Sequence, residues 1–149
     1  MKLYFARHTS AADIAPSDVQ RPLTRQGEDE ARIVGKALAG LGIRPTRVFS
    51  SPLLRARQTA ALIAGETGFA GSVELIEELA NGSSTPALLK ALPAGGELVL
   101  VGHMPSLADH VAKLTKQAAS DVAFGKGSVA CVESGRLVWL KHLPEMRER

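Results

Sequence analysis

Lys2-Leu3-Tyr4-Phe5-Ala6 runs straight into Arg7-His8-Thr9. The first five residues suit a short buried strand. They end in two side chains with opposite needs, a guanidinium that is always charged and an imidazole that titrates near neutrality. In α/β proteins the carboxyl ends of parallel strands are where chemistry is placed. The pattern returns twice: Val48-Phe49 leads into Ser50-Ser51-Pro52-Leu53-Leu54-Arg55, and Leu98-Val99-Leu100-Val101 leads into Gly102-His103-Met104-Pro105. His8 is expected to face solvent at its strand tip.

Outward from these tips the chain alternates between helix and strand signals. Thr9 to Gln20, rich in Ala, Ser, Asp and Pro, has no clear periodicity and reads as a loop over the first tip. Thr24 suits a helix N-cap. Glu28, Asp29 and Glu30 follow where the helix dipole favours anions, and Ala31, Val34, Leu38 and Leu41 mark one apolar face. Gly40 and Gly42, with Pro45 beyond, stop this helix. Arg47 to Ser50 reads as a second strand. Ser51-Pro52 reads as the start of a second helix with Pro at its first position, running to about Thr67 with Leu54, Gln58, Ala61 and Leu62 at helical spacing.

Val73 to Ile76 suits a third strand, leading into Glu77-Glu78 and a polar loop. Thr85-Pro86 opens a short third helix with Leu88, Leu89 and Leu92 inward. Glu97 to Val101 is apolar on both faces and therefore central. The helix after His103 carries Leu107, Val111 and Leu114 as its buried stripe and leaves Asp109 and Lys113 outside. Ser128 to Val132 and Leu137 to Leu140 flank Glu133-Ser134-Gly135-Arg136 as a hairpin at the sheet edge. This order predicts a single domain over residues 1–149: a three-layer α/β/α sandwich, its central sheet mostly parallel with an antiparallel edge hairpin. Its strand tips would bring His8, Arg55 and His103 to one edge.

Composition narrows the function. With 149 residues, 45% hydrophobic and 22% charged, the chain can bury a full core as one domain. Lys and Arg number 18 against 15 Asp and Glu, a net charge of +3, scattered apart from a frayed-looking Arg147-Glu148-Arg149 end. Scattered basic residues and an aromatic content of 4% favour no nucleic-acid partner. The single Cys131 has no internal disulfide partner and reads as a small core residue among Val129, Ala130 and Val132. No apolar run approaches membrane-spanning length, and no h-region follows Lys2, so a cytoplasmic protein without a membrane partner is expected.

Arg55 is electrostatically odd. It lies in the first turns of a helix, where the dipole is already positive, so a cation there suits an anion placed between them. Taken alone it is better read as an arginine that bends into water. Arg7, Arg55, His8 and His103 together offer two guanidiniums that fit tetrahedral oxyanions and two imidazoles, one of which could attack phosphorus. His110 and His142 lack such a setting and read as ordinary surface or core histidines. His103 and His110 are joined by no carboxylate or Cys cluster, and no glycine-rich phosphate loop is present. A phosphoryl site without metal or other cofactor is expected.

Four stretches carry a resemblance: Leu3 to Thr9, Arg21-Pro22-Leu23-Thr24-Arg25-Gln26-Gly27, Ser50 to Thr59, and Val101-Gly102-His103-Met104-Pro105. They resemble, in order, the motifs of the histidine phosphatase superfamily, the phosphoglycerate mutase-like fold. The short length and the Arg-Pro-Leu-Thr segment are most similar to the SixA-type phosphohistidine phosphatases. The resemblance implies that His8 is a nucleophile that becomes transiently phosphorylated. It implies that Arg7, Arg55 and His103 hold the phosphoryl oxygens, with Arg21 a further contact, and that Glu78 stands where family members carry a proton-donating carboxylate. A neutral His8 and a protonated His103 would follow, their pKa values pushed apart. One departure is Thr9, where the family pattern has Gly or another small residue that permits unusual backbone angles.

The activity so implied is removal of phosphate from phosphohistidine on a partner protein. The alternatives are a phosphatase for small phosphate esters or sugar phosphates, and a catalytically silent phosphoryl-binding module.

Overall fold

The computed structural model describes residues 1–147. Of the basic end Arg147-Glu148-Arg149, Glu148 and Arg149 therefore lie outside the described residues, and Arg147 is exposed. Six strands form one sheet: β1 (Lys2–Arg7), β2 (Arg47–Ser50), β3 (Glu74–Leu75), β4 (Glu97–Gly102), β5 (Val129–Glu133) and β6 (Arg136–Lys141). Their order is β3-β2-β4-β1-β5-β6. The first four in this order run parallel, and β5 and β6 close one edge as an antiparallel hairpin. Helices α1 (Arg25–Gly40), α2 (Leu54–Glu66), α3 (Thr85–Ala91), α4 (Ser106–Thr115) and α5 (Leu143–Met146) complete the chain.

Strand alternation sorts the core into two halves. Tyr4, Ala6, Val48, Val99 and Val101 face α1, α2 and α5, meeting Val34, Leu38, Ile63 and Met146. Leu3, Phe5, Phe49, Leu98 and Leu100 face the other way, meeting Leu88 of α3 and Leu107 and Val111 of α4. The sheet thus lies between two helical layers, the α/β/α sandwich expected, with Cys131 buried in the first half-core.

Register places the tips. β1 and β4 pair in parallel from Lys2 opposite Glu97 to Arg7 opposite Gly102, so the next residues, His8 and His103, emerge side by side. The β5–β6 turn puts both Ser134 (φ 52) and Gly135 (φ 73) in the left-handed region, as a two-residue hairpin of this kind requires.

Several expectations need correction. β3 is only Glu74–Leu75, and Glu77–Leu79 form a 3-10 turn ahead of the polar loop at Asn81 to Ser84. α2 starts at Leu54, because Ser51 is fully buried and its hydroxyl accepts from Leu53 N at 3.3 Å, holding Ser51-Pro52-Leu53 off helical geometry. The buried face of α2 is Arg55, Ala56, Thr59, Ala60, Ile63 and Ala64, one step round from the Leu54, Gln58, Ala61 and Leu62 stripe. Leu41 caps α1 and points outward, and Leu89 is exposed beside the buried Leu88. The 3-10 turn Ala119–Asp121 and α5 carry no strong periodic signal. His142 precedes α5, with its backbone N donating to Glu145 Oε1 at 2.8 Å and its Nδ1 lying 2.8 Å from Ser128 Oγ.

Candidate active site

His8 leaves β1 with its backbone N–H on Gly102 O at 3.2 Å, which fixes its main chain against β4. Its Nδ1 lies 2.8 Å from Thr9 O. A carbonyl can only accept, so Nδ1 keeps its proton and Nε2 keeps its lone pair. The expected solvent-facing ring is in fact buried, at 7% exposure. Burial pushes the His8 pKa down to about 4, and the Arg55, Arg7 and Lys126 charges push the same way against the Thr9 carbonyl.

The His103 ring lies with its centroid 5.0 Å from that of His8, at an angle of 49°. Its Nε2 is 2.6 Å from Ser51 Oγ, and its Nδ1 is buried with no hydrogen-bond partner among the described residues. Burial, then the His8 and Arg55 charges, lower its pKa to about 3, with Asp18 pulling it back up. The expected protonated His103 is therefore corrected: both rings are neutral near pH 7, because both are desolvated among the same cations.

Arg7 Nη1 donates to Phe124 O at 2.9 Å, and Arg7 Nε is buried without a hydrogen-bond partner among the described residues. Arg55 does not bend into water. It is 8% exposed, with Nη1 on Asp18 O at 2.9 Å and Nη2 on Asp18 Oδ2 at 3.3 Å. Arg21 takes the same loop from the other side, with Nε on Ala12 O at 2.6 Å and Nη1 on Asp18 Oδ1 at 3.1 Å. Asp18 thus bridges Arg21 and Arg55. Glu78 is half-buried in the 3-10 turn, and its carboxylate makes no hydrogen bond or ion pair among the described residues. Its neighbour Leu79 packs on the β4 tip, where a Cβ on Gly102 would lie 3.0 Å from Leu79 O.

A family model described as histidine phosphatase superfamily (branch 1) matches residues 3–83. The chain belongs to the histidine phosphatase superfamily. Phosphohistidine phosphatase SixA of Escherichia coli (strain K12) is 34% identical over 119 residues, covering 76% of this chain and 74% of that protein. An uncharacterized protein of Picosynechococcus is 39% identical over 135 residues, covering 85% of this chain and 75% of that one. The solved structure of the protein histidine phosphatase SixA complexed with tungstate superposes with a TM-score of 0.89 at 29% identity. It covers 98% of this chain and 99% of that one.

In this histidine phosphatase the turn after His8 is clamped by α1 and α2. Thr9 Oγ1 donates to Gly27 O at 2.7 Å, and Thr9 N donates to Thr59 Oγ1 at 3.2 Å. Ser10 N donates to Glu30 Oε1 at 3.0 Å, and Ser10 O accepts from Thr24 N at 3.0 Å. Gly27 is required for this approach, since a Cβ there would fall 1.9 Å from Ser10 O. Thr9 is fully buried, and only Lys116 and Ser134 have positive φ among the described non-glycine residues, so Thr9 imposes no left-handed backbone. Ser51, Thr59, Glu30 and Asp18 are the site-shaping residues missed. Ser51 and Thr59 lie inside the quoted Ser50 to Thr59 motif, while Asp18 and Glu30 carry no local signal. No helix among the described residues is long and apolar enough to cross a membrane.

Proposed function

We propose that this chain is a phosphohistidine phosphatase that acts on a phosphorylated histidine of a partner protein through a phospho-His8 intermediate. The observation that carries the reading is the His8 ring, pinned through Nδ1 to Thr9 O with its Nε2 lone pair free beside buried cations. In the first step Nε2 bonds to phosphorus as the substrate's P–N bond breaks, and the bonding pair returns to the departing imidazole. In the second step a water oxygen bonds to phosphorus as the His8 N–P bond breaks, the bonding pair returns to Nε2, and the water's protons leave with the inorganic phosphate or pass to solvent.

Transfer of this kind needs positioning and charge stabilisation more than covalent machinery. Arg7 Nε and His103 Nδ1, both buried and without a hydrogen-bond partner among the described residues, suit phosphoryl oxygens, and Arg55 adds its charge. His103 can serve while neutral, in the tautomer in which Ser51 O–H donates to its Nε2 and Nδ1–H is left for the oxyanion. An incoming dianion also opposes each charge that lowers the two imidazole pKa values. Thr9 supports catalysis over silent binding, because its carbonyl holds the nucleophile without backbone strain. The similarity to SixA proteins points to the same substrate class.

The test is incubation with phosphoimidazole and with a phosphohistidine peptide, alongside phosphoserine and sugar phosphates. Wild type should turn over the phosphoramidates and accumulate an acid-labile, base-stable protein phosphate. His8→Asn should form none and turn over nothing, while still binding vanadate. Labelled phosphate on His8→Asn, or a wild type that cleaves only esters, would overturn the reading.

A further inference from the structure

We propose that Asp18 recognises the substrate's imidazole, accepting a hydrogen bond from the ring nitrogen that does not carry phosphorus. The proposal rests on the phosphohistidine reading above and extends it to the leaving group.

Asp18 sits on the loop that crosses the β1 tip, with its side chain 63% exposed against 10% for the Arg55 it touches. Its two carboxylate oxygens are held separately, Oδ1 by Arg21 Nη1 at 3.1 Å and Oδ2 by Arg55 Nη2 at 3.3 Å. The loop is fixed in addition by Arg55 Nη1 on Asp18 O at 2.9 Å and by Leu54 N on Val19 O at 3.0 Å. The result is a well-exposed carboxylate fixed beside Arg55, with lone pairs left over for a further donor. Its charge reaches inward as far as His103. Hydrogen bonds and charge from Arg21 and Arg55 hold its pKa below the usual carboxylate range, so it accepts protons in hydrogen bonds and has none to give.

An acceptor is of no use to a departing alkoxide, which needs a proton. It suits a departing imidazole. As the P–N bond breaks, its electron pair returns to the nitrogen that held phosphorus, and the product is neutral imidazole only if the other nitrogen already carries hydrogen. A carboxylate bonded to that N–H favours binding of the protonated ring and orients its P–N bond toward His8. A phosphate ester offers no such N–H, so Asp18 would separate phosphohistidine from esters by recognition.

The experiment compares kcat/KM for phosphoimidazole and for p-nitrophenyl phosphate, with vanadate inhibition, in wild type, Asp18→Asn and Asp18→Glu. Asp18→Asn should lose about 10- to 100-fold on phosphoimidazole, about tenfold or more beyond its loss on p-nitrophenyl phosphate. Asp18→Glu should recover part of that difference by restoring the charge. Equal losses on both substrates together with weakened vanadate inhibition would show that Asp18 merely holds the arginines, and no loss on either would show that it does nothing; both overturn the proposal. A wild type inactive on phosphoimidazole would instead sink the function proposed above, which keeps the two failures distinct.

Discussion

The tips of β1 and β4 are built alike and anchored differently. Both strands are buried, run in parallel register and end one residue before a histidine. At β1 the anchor is the Thr9 carbonyl, which only accepts and therefore leaves one tautomer for His8. At β4 the anchor is the Ser51 hydroxyl, which donates or accepts and leaves His103 two. Residue type is the same at both tips. The chemistry of the anchoring oxygen is what suits one ring to attack and the other to donate.

Acid should break both tips at once, and by the largest amount. An unfolded imidazole titrates near ~6.5, whereas burial holds native His8 to about 4 and His103 to about 3. Between these values the unfolded chain binds protons that the native chain refuses, so stability falls as pH drops below the unfolded value. Urea unfolding at pH 5 against pH 7 should show a loss of about 2 kcal/mol for each ring. His110, buried and also shifted down, adds to the slope. The two rings are therefore isolated with His8→Asn and His103→Asn, each of which should shrink the pH 5 loss by about 2 kcal/mol. A loss that neither variant reduces would mean that the native rings are already protonated.

A smaller change separates the tips. Ser51→Ala removes the partner of His103 Nε2 and leaves the Thr9 anchor of His8 intact. Vanadate affinity should weaken about tenfold, the order expected for one lost buried hydrogen bond, while phospho-His8 still forms. Unchanged affinity would mean that Ser51 does not set the His103 ring, and loss of the phosphoenzyme would mean that the two tips are not independent.

Much of this arrangement is legible in the chain itself, for a definite reason. β1 and β4 are central, so their side chains on both faces are apolar and their ends are marked where Arg7-His8 and Gly102-His103 begin. The edge element β3, two residues long, has no room for a pattern. α2 misled because its buried face is made of small and polar residues, Ala56, Thr59, Ala60 and Arg55, that carry little hydropathic contrast. Asp18 and Ser51 act across sequence separations of 37 and 52 residues, through contacts that only the closed fold creates. The protonation of His103 is not legible in the chain for a related reason: burial depth is a property of packing, and here it outweighs the expected charge.

The smallest expected effect on phosphohistidine turnover concerns a residue at neither tip. Glu78 lies in the 3-10 turn whose next residue, Leu79, packs against the end of β4, and it is part of neither anchor. If the leaving group is a protonated imidazole with a pKa of ~6.5, it needs no further proton as the P–N bond breaks. An alkoxide, whose conjugate acid resembles water with a pKa of ~15.7, does need one. Glu78→Gln should therefore change kcat/KM on phosphohistidine by less than about threefold, while lowering any activity on an alkyl phosphate by about 10²- to 10⁴-fold. Steady-state kinetics on both substrates decide the matter. Equal large losses would assign Glu78 to holding the β4 tip or the substrate, and would tie it to the His103 side of the site. A selective loss on the ester would show that the two anchored histidines carry phosphohistidine chemistry without a proton donor.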